Sequence, residues 1–175
     1  MPQFISRVNT SSEAFRKNRE DMLASIGTLS DALDRAAALS DKSSPRFEKR
    51  GQLLPRERLA RILDPGMPFL ELLNMAGFTV DTEDRDKSIA GCSSITGIGY
   101  VGGARCMVMV DDAGINAGAM TTLSTRKGNR VMDIALDKKL PFIHLVESAG
   151  ANLLTYKVEL WAMGGGMFHG KALLS

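Results

Sequence analysis

The chemistry-bearing stretch with the least ordinary composition is Val146-Glu147-Ser148-Ala149-Gly150-Ala151-Asn152-Leu153, directly after the apolar run Phe142-Ile143-His144-Leu145. A strand that leaves the core through three small residues in succession supports two chemistries. Ser148 resembles a nucleophile at a strand-to-helix elbow, but that motif is G-x-S-x-G, and here Val146 stands where the strained backbone wants a small residue. His144 falls within the strand and His169 in a glycine-rich stretch, so neither is placed to serve as base, and His144 reads as a satisfied strand residue. A serine hydrolase is therefore the weaker reading. The other uses the main chain. Small side chains at Ala149, Gly150 and Ala151 let peptide N–H groups face a ligand carbonyl. Such donors stabilise an enolate or oxyanion, and each is worth roughly 3 kcal/mol in a transition state. A helix beginning near Leu153 would add the positive end of its dipole.

Two further stretches carry candidate motifs. Gly97-x-Gly99-x-x-Gly102 has the spacing of a dinucleotide fingerprint, but "ARCMVMV" follows it, a strand and not the helix that must receive a pyrophosphate. Those glycines read instead as a hairpin with close backbone approach. Arg46, Lys49 and Arg50, in a polar, proline-containing stretch, are candidates for phosphate contact, with a solvated surface as the plainer reading. The two cysteines, Cys92 and Cys106, form no metal-ligand spacing, so no metal is expected.

The elements that must position these residues follow from periodicity. Residues 11–39 suit a long helix capped by Ser11 or Ser12, with Met22, Ile26, Leu29, Leu33 and Ala36 forming one apolar stripe that packs on its own domain or a neighbouring subunit. Residues 40–54 read as linker. Pro55 opens a short helix that Asp64-Pro65-Gly66 ends, and "FLELL" gives a short strand. Residues 78–91 are loop. "SSITGIGYV" and "ARCMVMV" form a hairpin turned at Gly102-Gly103, and residues 124–140 a helix with Val131, Met132, Ala135 and Leu136 on one side. "PFIHLV" is a strand before the turn. Hairpin, helix, strand, turn and helix in that order give an α/β fold.

Whole-chain properties bound the partners. A chain of 175 residues with 44% hydrophobic and 24% charged residues is one soluble domain with a core. A net charge of +2 gives no argument for nucleic acid, no apolar run is long enough for a membrane span, and the N-terminus has no secretory h-region. Reduced thiols point to the cytoplasm, or to the mitochondrial matrix if the source is eukaryotic.

Three blocks in order, "GQLLPRERLARILDPGMPFLEL" (51–72), "SSITGIGYVGGARCMVMVDDAGINAGAM" (93–120) and "LPFIHLVESAGANL" (140–153), resemble the carboxyltransferase (beta) subunit of biotin-dependent acyl-CoA carboxylases, the propionyl-CoA and methylcrotonoyl-CoA carboxylase group. The resemblance implies a crotonase-like fold of stacked ββα units, incomplete here, preceded by the N-terminal helix. It divides the chain into 1–50, helix and linker, and 51–175, a partial N-terminal carboxyltransferase domain. It also implies that carboxybiotin, carried on another chain or domain, meets acyl-CoA at a dimer interface, where an enolate attacks CO2 while backbone N–H groups hold the oxyanion. Biotin and acyl-CoA are thus the implied cofactor and substrate, a biotin carboxylase or biotin carrier subunit the implied partner, and a homo-oligomer of full-length subunits the implied assembly.

Carried over residue by residue, Ser148-Ala149-Gly150-Ala151 matches the family's Ser-Gly-Gly-Ala turn, with Ala149 tolerated only at negative φ. The stretch from Asp112-Ala113 to Gly118 matches the loop lining the acyl-CoA site, which assigns Asn116, Ala117 and Gly118 to acyl-CoA; Gly114, Asn116 and Ala117 replace the family's Thr, Lys and first Gly. Lys127 and Arg130, one to two turns into the following helix, are candidate ligands of CoA phosphates, with a solvated helix face as the alternative. The resemblance covers about the first third of a family member, so the expectation is a fragment inactive by itself. The alternatives are an acyl-CoA decarboxylase subunit and a non-catalytic remnant that binds another subunit.

Overall fold

The computed structural model describes residues 5–153 and 157–174. Helix α1 (Glu13–Asp41) starts where Ser12 accepts a hydrogen bond from Phe15 N–H, an ordinary N-cap. Its first half stands in solvent. Met22, Ile26 and Leu29, three of the five residues of the expected stripe, are exposed, and Ala32 and Ser40 are the buried residues of the helix. The expected linker contains a second helix, α2 (Ser44–Lys49), with Pro45 in its first turn and Phe47 buried. Helix α3 (Pro55–Ile62) follows, its first turn closed by Glu57 accepting from Leu54 N–H.

Four strands form one sheet in the order β1-β2-β3-β4: β1 (Leu70–Glu71), β2 (Ser94–Val101), β3 (Ala104–Asp111) and β4 (Phe142–Leu145). The β2–β3 hairpin is antiparallel and turns at Gly102-Gly103, whose N–H groups both donate to the Asp64 carboxylate. The turn that ends α3 therefore also caps the hairpin. Helix α4 (Thr122–Asp137) carries the chain from β3 to β4, which pair in parallel; this is the β-β-α arrangement of the crotonase-like fold. Helix α5 (Val158–Leu174) packs on α4. It begins later than Leu153 and contains Gly164-Gly165-Gly166 inside it. The glycines that face α4 admit close contact: a Cβ on Gly170 would lie 2.2 Å from Met132 Cγ, and one on Gly166 3.3 Å from the Asn129 amide.

Strand β3 is buried on both faces, as a sheet covered on both sides requires. Cys106, Val108 and Val110 join Leu59 and Ile95 beneath α3, and Met107 joins Val131, Ala135 and Leu140 beneath α4. The glycines of the G-x-G-x-x-G spacing are packing residues. A Cβ on Gly97 would stand 2.4 Å from the Phe69 ring and one on Gly99 2.6 Å from Leu63, so the rim of the sheet closes only over bare backbone. No helix among the described residues is long and apolar enough to cross a membrane.

Candidate active site

Two loops leave the same end of the sheet and are bonded to each other. The loop after β3 runs through Asn116, Ala117 and Gly118, all at positive φ (48°, 53° and 66°). The turn after β4 lies against it. Ser148 Oγ donates to Gly118 O at 2.6 Å, Ala149 N–H donates to Ala117 O at 3.0 Å, and Met120 pairs in parallel with Ala151 through the Gly150 carbonyl and the Asn152 N–H. Gly118 is required by this contact, because a Cβ there would sit 2.4 Å from Glu147 O. Ala149 is not among the residues with positive φ, whereas Gly150 is (φ 88°), so the methyl group of Ala149 is accommodated as expected.

These bonds reduce the set of available donors. Of the three expected amides, Ala149 N–H is taken by Ala117 O, and Gly150 N–H donates to Ser148 Oγ at 3.0 Å. Ala151 N–H has no partner among the described residues. A parallel bridge uses the groups flanking its central residue, so this N–H points away from Met120. Ser148 is a tie between loops rather than half of a catalytic pair: its hydroxyl serves Gly118 O and Gly150 N–H, and the nearby imidazole is engaged elsewhere. His144 Nε2 lies 3.0 Å from Asp111 Oδ1. The expected helix start near Leu153 runs into residues outside those described; the next described helix, α5, starts at Val158.

A cleft of about 290 Å³ opens beside the paired loops, lined on one side by Ala117, Ser148 and Ala149 and on the other by Arg46, Arg50 and Gln52. The loop 112–114 holds the basic side in place. Ser40 Oγ donates to Asp112 Oδ1 at 2.8 Å, Ser43 Oγ to Gly114 O at 2.9 Å, and the Arg46 guanidinium to Ala113 O. Burial pushes the Asp112 carboxyl up, opposed by the bonds from Ser40 and Gly114. Arg46 also lies over the Phe47 ring at 5.5 Å. Arg50 is exposed and makes no ion pair with a described residue. One side of the cleft is cationic, and the other combines the small residues Ala117 and Ala149 with Ser148 and the Arg58-paired Glu147.

The remaining expected site residues lie elsewhere. Asn116 is exposed beside Ala117, and Gly118 is buried under the turn. Arg130 is exposed on α4 and does not line the cleft. Lys127 is neither a surface ligand nor part of a solvated face. It is 4% exposed, and its Nζ donates to Gly91 O at 2.9 Å and Ser94 O at 2.6 Å. Burial lowers its pKa to about 8, because desolvation disfavours the ammonium. Lys127, Val131 and Ala135 follow each other at intervals of four, so the lysine lies on the core stripe of α4; that spacing was visible in the sequence. Asp111, which holds His144, was missed because nothing in the sequence distinguishes a strand-end Asp from a turn residue. Among the described residues no group of three or more His, Cys, Asp or Glu is placed to hold a metal.

Known proteins resemble the chain in sequence and fold. A family model described as the carboxyl transferase domain matches residues 46–175. The chain belongs to the carboxyl transferase domain family. The beta subunit of P. aeruginosa geranyl-CoA carboxylase superposes with a TM-score of 0.88 at 40% identity, covering 99% of this chain and 32% of that one. The biotin-dependent 3-methylcrotonyl-coenzyme A carboxylase beta1 subunit of Mycobacterium tuberculosis is 41% identical over 120 residues, 67% of this chain and 22% of that protein. A probable biotin-dependent acyl-coenzyme A carboxylase beta2 subunit of the same organism is 34% identical over 97% of this chain and 31% of its own length. This carboxyl transferase chain therefore spans about a third or less of those relatives. The transcarboxylase 12S structure, at 22% identity and a TM-score of 0.74, shares the fold.

Proposed function

We propose that this chain contributes the acyl-CoA side of a biotin-dependent acyl-CoA carboxyltransferase. The observation that carries the reading is the cleft lined by Arg46 and Arg50 and by Ala117, Ser148 and Ala149, with Gly150 and Ala151 following on the same turn. A CoA thioester needs both sides: cations for its phosphates, and peptide donors with no obstructing side chain for its carbonyl. At about 290 Å³ the cleft holds part of such a ligand, close to the lower bound of small-molecule sites of roughly 300 Å³. Arg46, fixed by its bond to Ala113 O, and the free-standing Arg50 take the phosphates. Ala117 and Ala149 form the floor along which the pantetheine arm runs. The Ala151 N–H receives the thioester oxygen and strengthens its bond as negative charge develops there during removal of the α-proton.

Carboxybiotin, carried on another chain or domain, supplies the carboxyl group and, after its release, a basic nitrogen. No side chain of the turn is needed as base, which agrees with the engagement of His144 by Asp111 and of Ser148 by Gly118. The second oxyanion contact comes from a longer protein or another subunit, so the isolated chain binds thioester without turning it over. The assembly is a homo-oligomer of complete subunits with a biotin carboxylase and carrier partner.

The test is carboxylation measured with carboxybiotin and a panel of acyl-CoA thioesters, on the 175-residue chain and on the same chain within a complete carboxyltransferase subunit. Carboxylated thioester is expected in the second case only. No product from the complete subunit with any thioester overturns the function, and turnover by the isolated chain overturns its incompleteness.

A further inference from the structure

The backbone ladder between β3 and β4 ends at Val110–Leu145, the last residue of β4 and the one before the last of β3. Beyond that point the turn is held by side chains. Asp111, the last residue of β3 and buried, accepts from Glu147 N–H through Oδ2 at 3.2 Å and meets His144 Nε2 through Oδ1 at 3.0 Å. Arg58 of α3 closes the cluster: Nη2 donates to Asp111 O at 2.7 Å and pairs with Glu147 Oε2 at 3.0 Å. All four side chains are largely buried. None is needed as acid or base in the carboxyl transfer described above.

We propose that Asp111 is the positioning residue of the oxyanion turn: its carboxylate holds the His144 imidazole of β4 and the Glu147 amide together, and so sets where the Ala151 N–H lies. Glu147 is held on two sides, by Asp111 at its N–H and by Arg58 at its carboxylate, and its carbonyl lies so close to Gly118 that a Cβ there would stand 2.4 Å from it. Ser148 and Ala149 then continue the contact with the neighbouring loop. The position calls for a carboxylate because two donors converge on it, and an Asn side chain offers one acceptor and one donor. The same geometry specifies the histidine. Nε2 must carry the proton that Asp111 accepts, and Nδ1, which is buried without a partner among the described residues, is the unprotonated nitrogen. The Nδ1–H tautomer would bury a donor with no acceptor, which is costly.

The inference rests on the turn carrying the thioester donor, but its test needs no ligand, so failure of that reading is seen separately as absent acyl-CoA binding. The measurement is amide hydrogen exchange together with imidazole 15N shifts on the full chain, wild type against Asp111→Asn, with Asp111→Ala as a second variant. Wild-type His144 is expected as a single Nε2–H tautomer. Asp111→Asn is expected to speed exchange at Glu147 about tenfold or more while Met107–Val110 in β3 keep their protection, a control that separates loss of positioning from unfolding. An unchanged Glu147 rate in Asp111→Asn, or a wild-type His144 found as the Nδ1–H tautomer, overturns the assignment.

Discussion

Ser148→Ala separates the two chemistries that the turn could support. In the structure the hydroxyl makes two bonds, to Gly118 O at 2.6 Å and from Gly150 N–H at 3.0 Å. Each net bond is worth about 0.5–1.5 kcal/mol, and because Ser148 is exposed, water replaces part of both. The loss is therefore about 1–2 kcal/mol, shared between fold stability and loop order. If all of it falls on the transition state, the carboxylation rate of a complete subunit drops about 5- to 30-fold, at 1.4 kcal/mol per factor of ten. A nucleophile behaves differently: its removal costs about 10⁴-fold or more with the fold intact. The assay pairs urea denaturation of the chain with initial rates of carboxylation in the complete subunit. A stability loss near 1–2 kcal/mol with a modest rate loss is expected. A loss of 10⁴-fold at unchanged stability would refute the assignment of Ser148 as a tie between loops.

Three further outcomes follow from the same contacts. Ala117→Gly relieves a left-handed alanine at φ 53° and should raise stability by about 0.5–1 kcal/mol in the same denaturation assay, whereas Gly118→Ala, at φ 66° with a Cβ 2.4 Å from Glu147 O, should lower it by more than about 2 kcal/mol. Lys127→Met leaves Gly91 O and Ser94 O without their buried donor and should cost about 2–4 kcal/mol at pH 7. With the lysine pKa moved from 10.5 to about 8, the unfolded chain binds more protons than the folded one between those values, so wild type should gain on Lys127→Met by up to about 3 kcal/mol as pH rises through that window. Arg50→Ala should weaken acyl-CoA binding by isothermal titration about 5- to 10-fold and lessen its salt dependence, while Arg130→Ala leaves both unchanged.

How far the sequence showed this arrangement depends on which period carried the signal. The hairpin, α4 and β4 were legible because apolar runs joined at Gly102-Gly103 match strands buried on both faces and the 131–132–135 spacing of α4 matches its buried face. Helix α2 was not, since six residues with a proline near the start carry too little periodicity. Helix α5 runs through three glycines, and its helicity comes from docking on α4 through Gly166 and Gly170 rather than from propensity. The turn 146–153 was correctly located, because bare backbone after a strand is a local feature. Which of its amides remain available was not, because that depends on Ala117 O, thirty-two residues away in sequence from Ala149. Asp111 was invisible for the same reason: its partners come from α3, β4 and the turn.

The central claim is that the cleft between α2 and the paired loops receives an acyl-CoA thioester. Its most direct test is an amide-resolved NMR titration of the 175-residue chain with a CoA thioester. The account predicts saturable shifts at Arg46, Arg50, Ala117 and Ser148–Ala151, the largest of the turn amides at Ala151, whose N–H alone among Ala149–Ala151 has no partner among the described residues. Absence of saturable shifts, or shifts centred on Arg130 and the exposed face of α4, would contradict it.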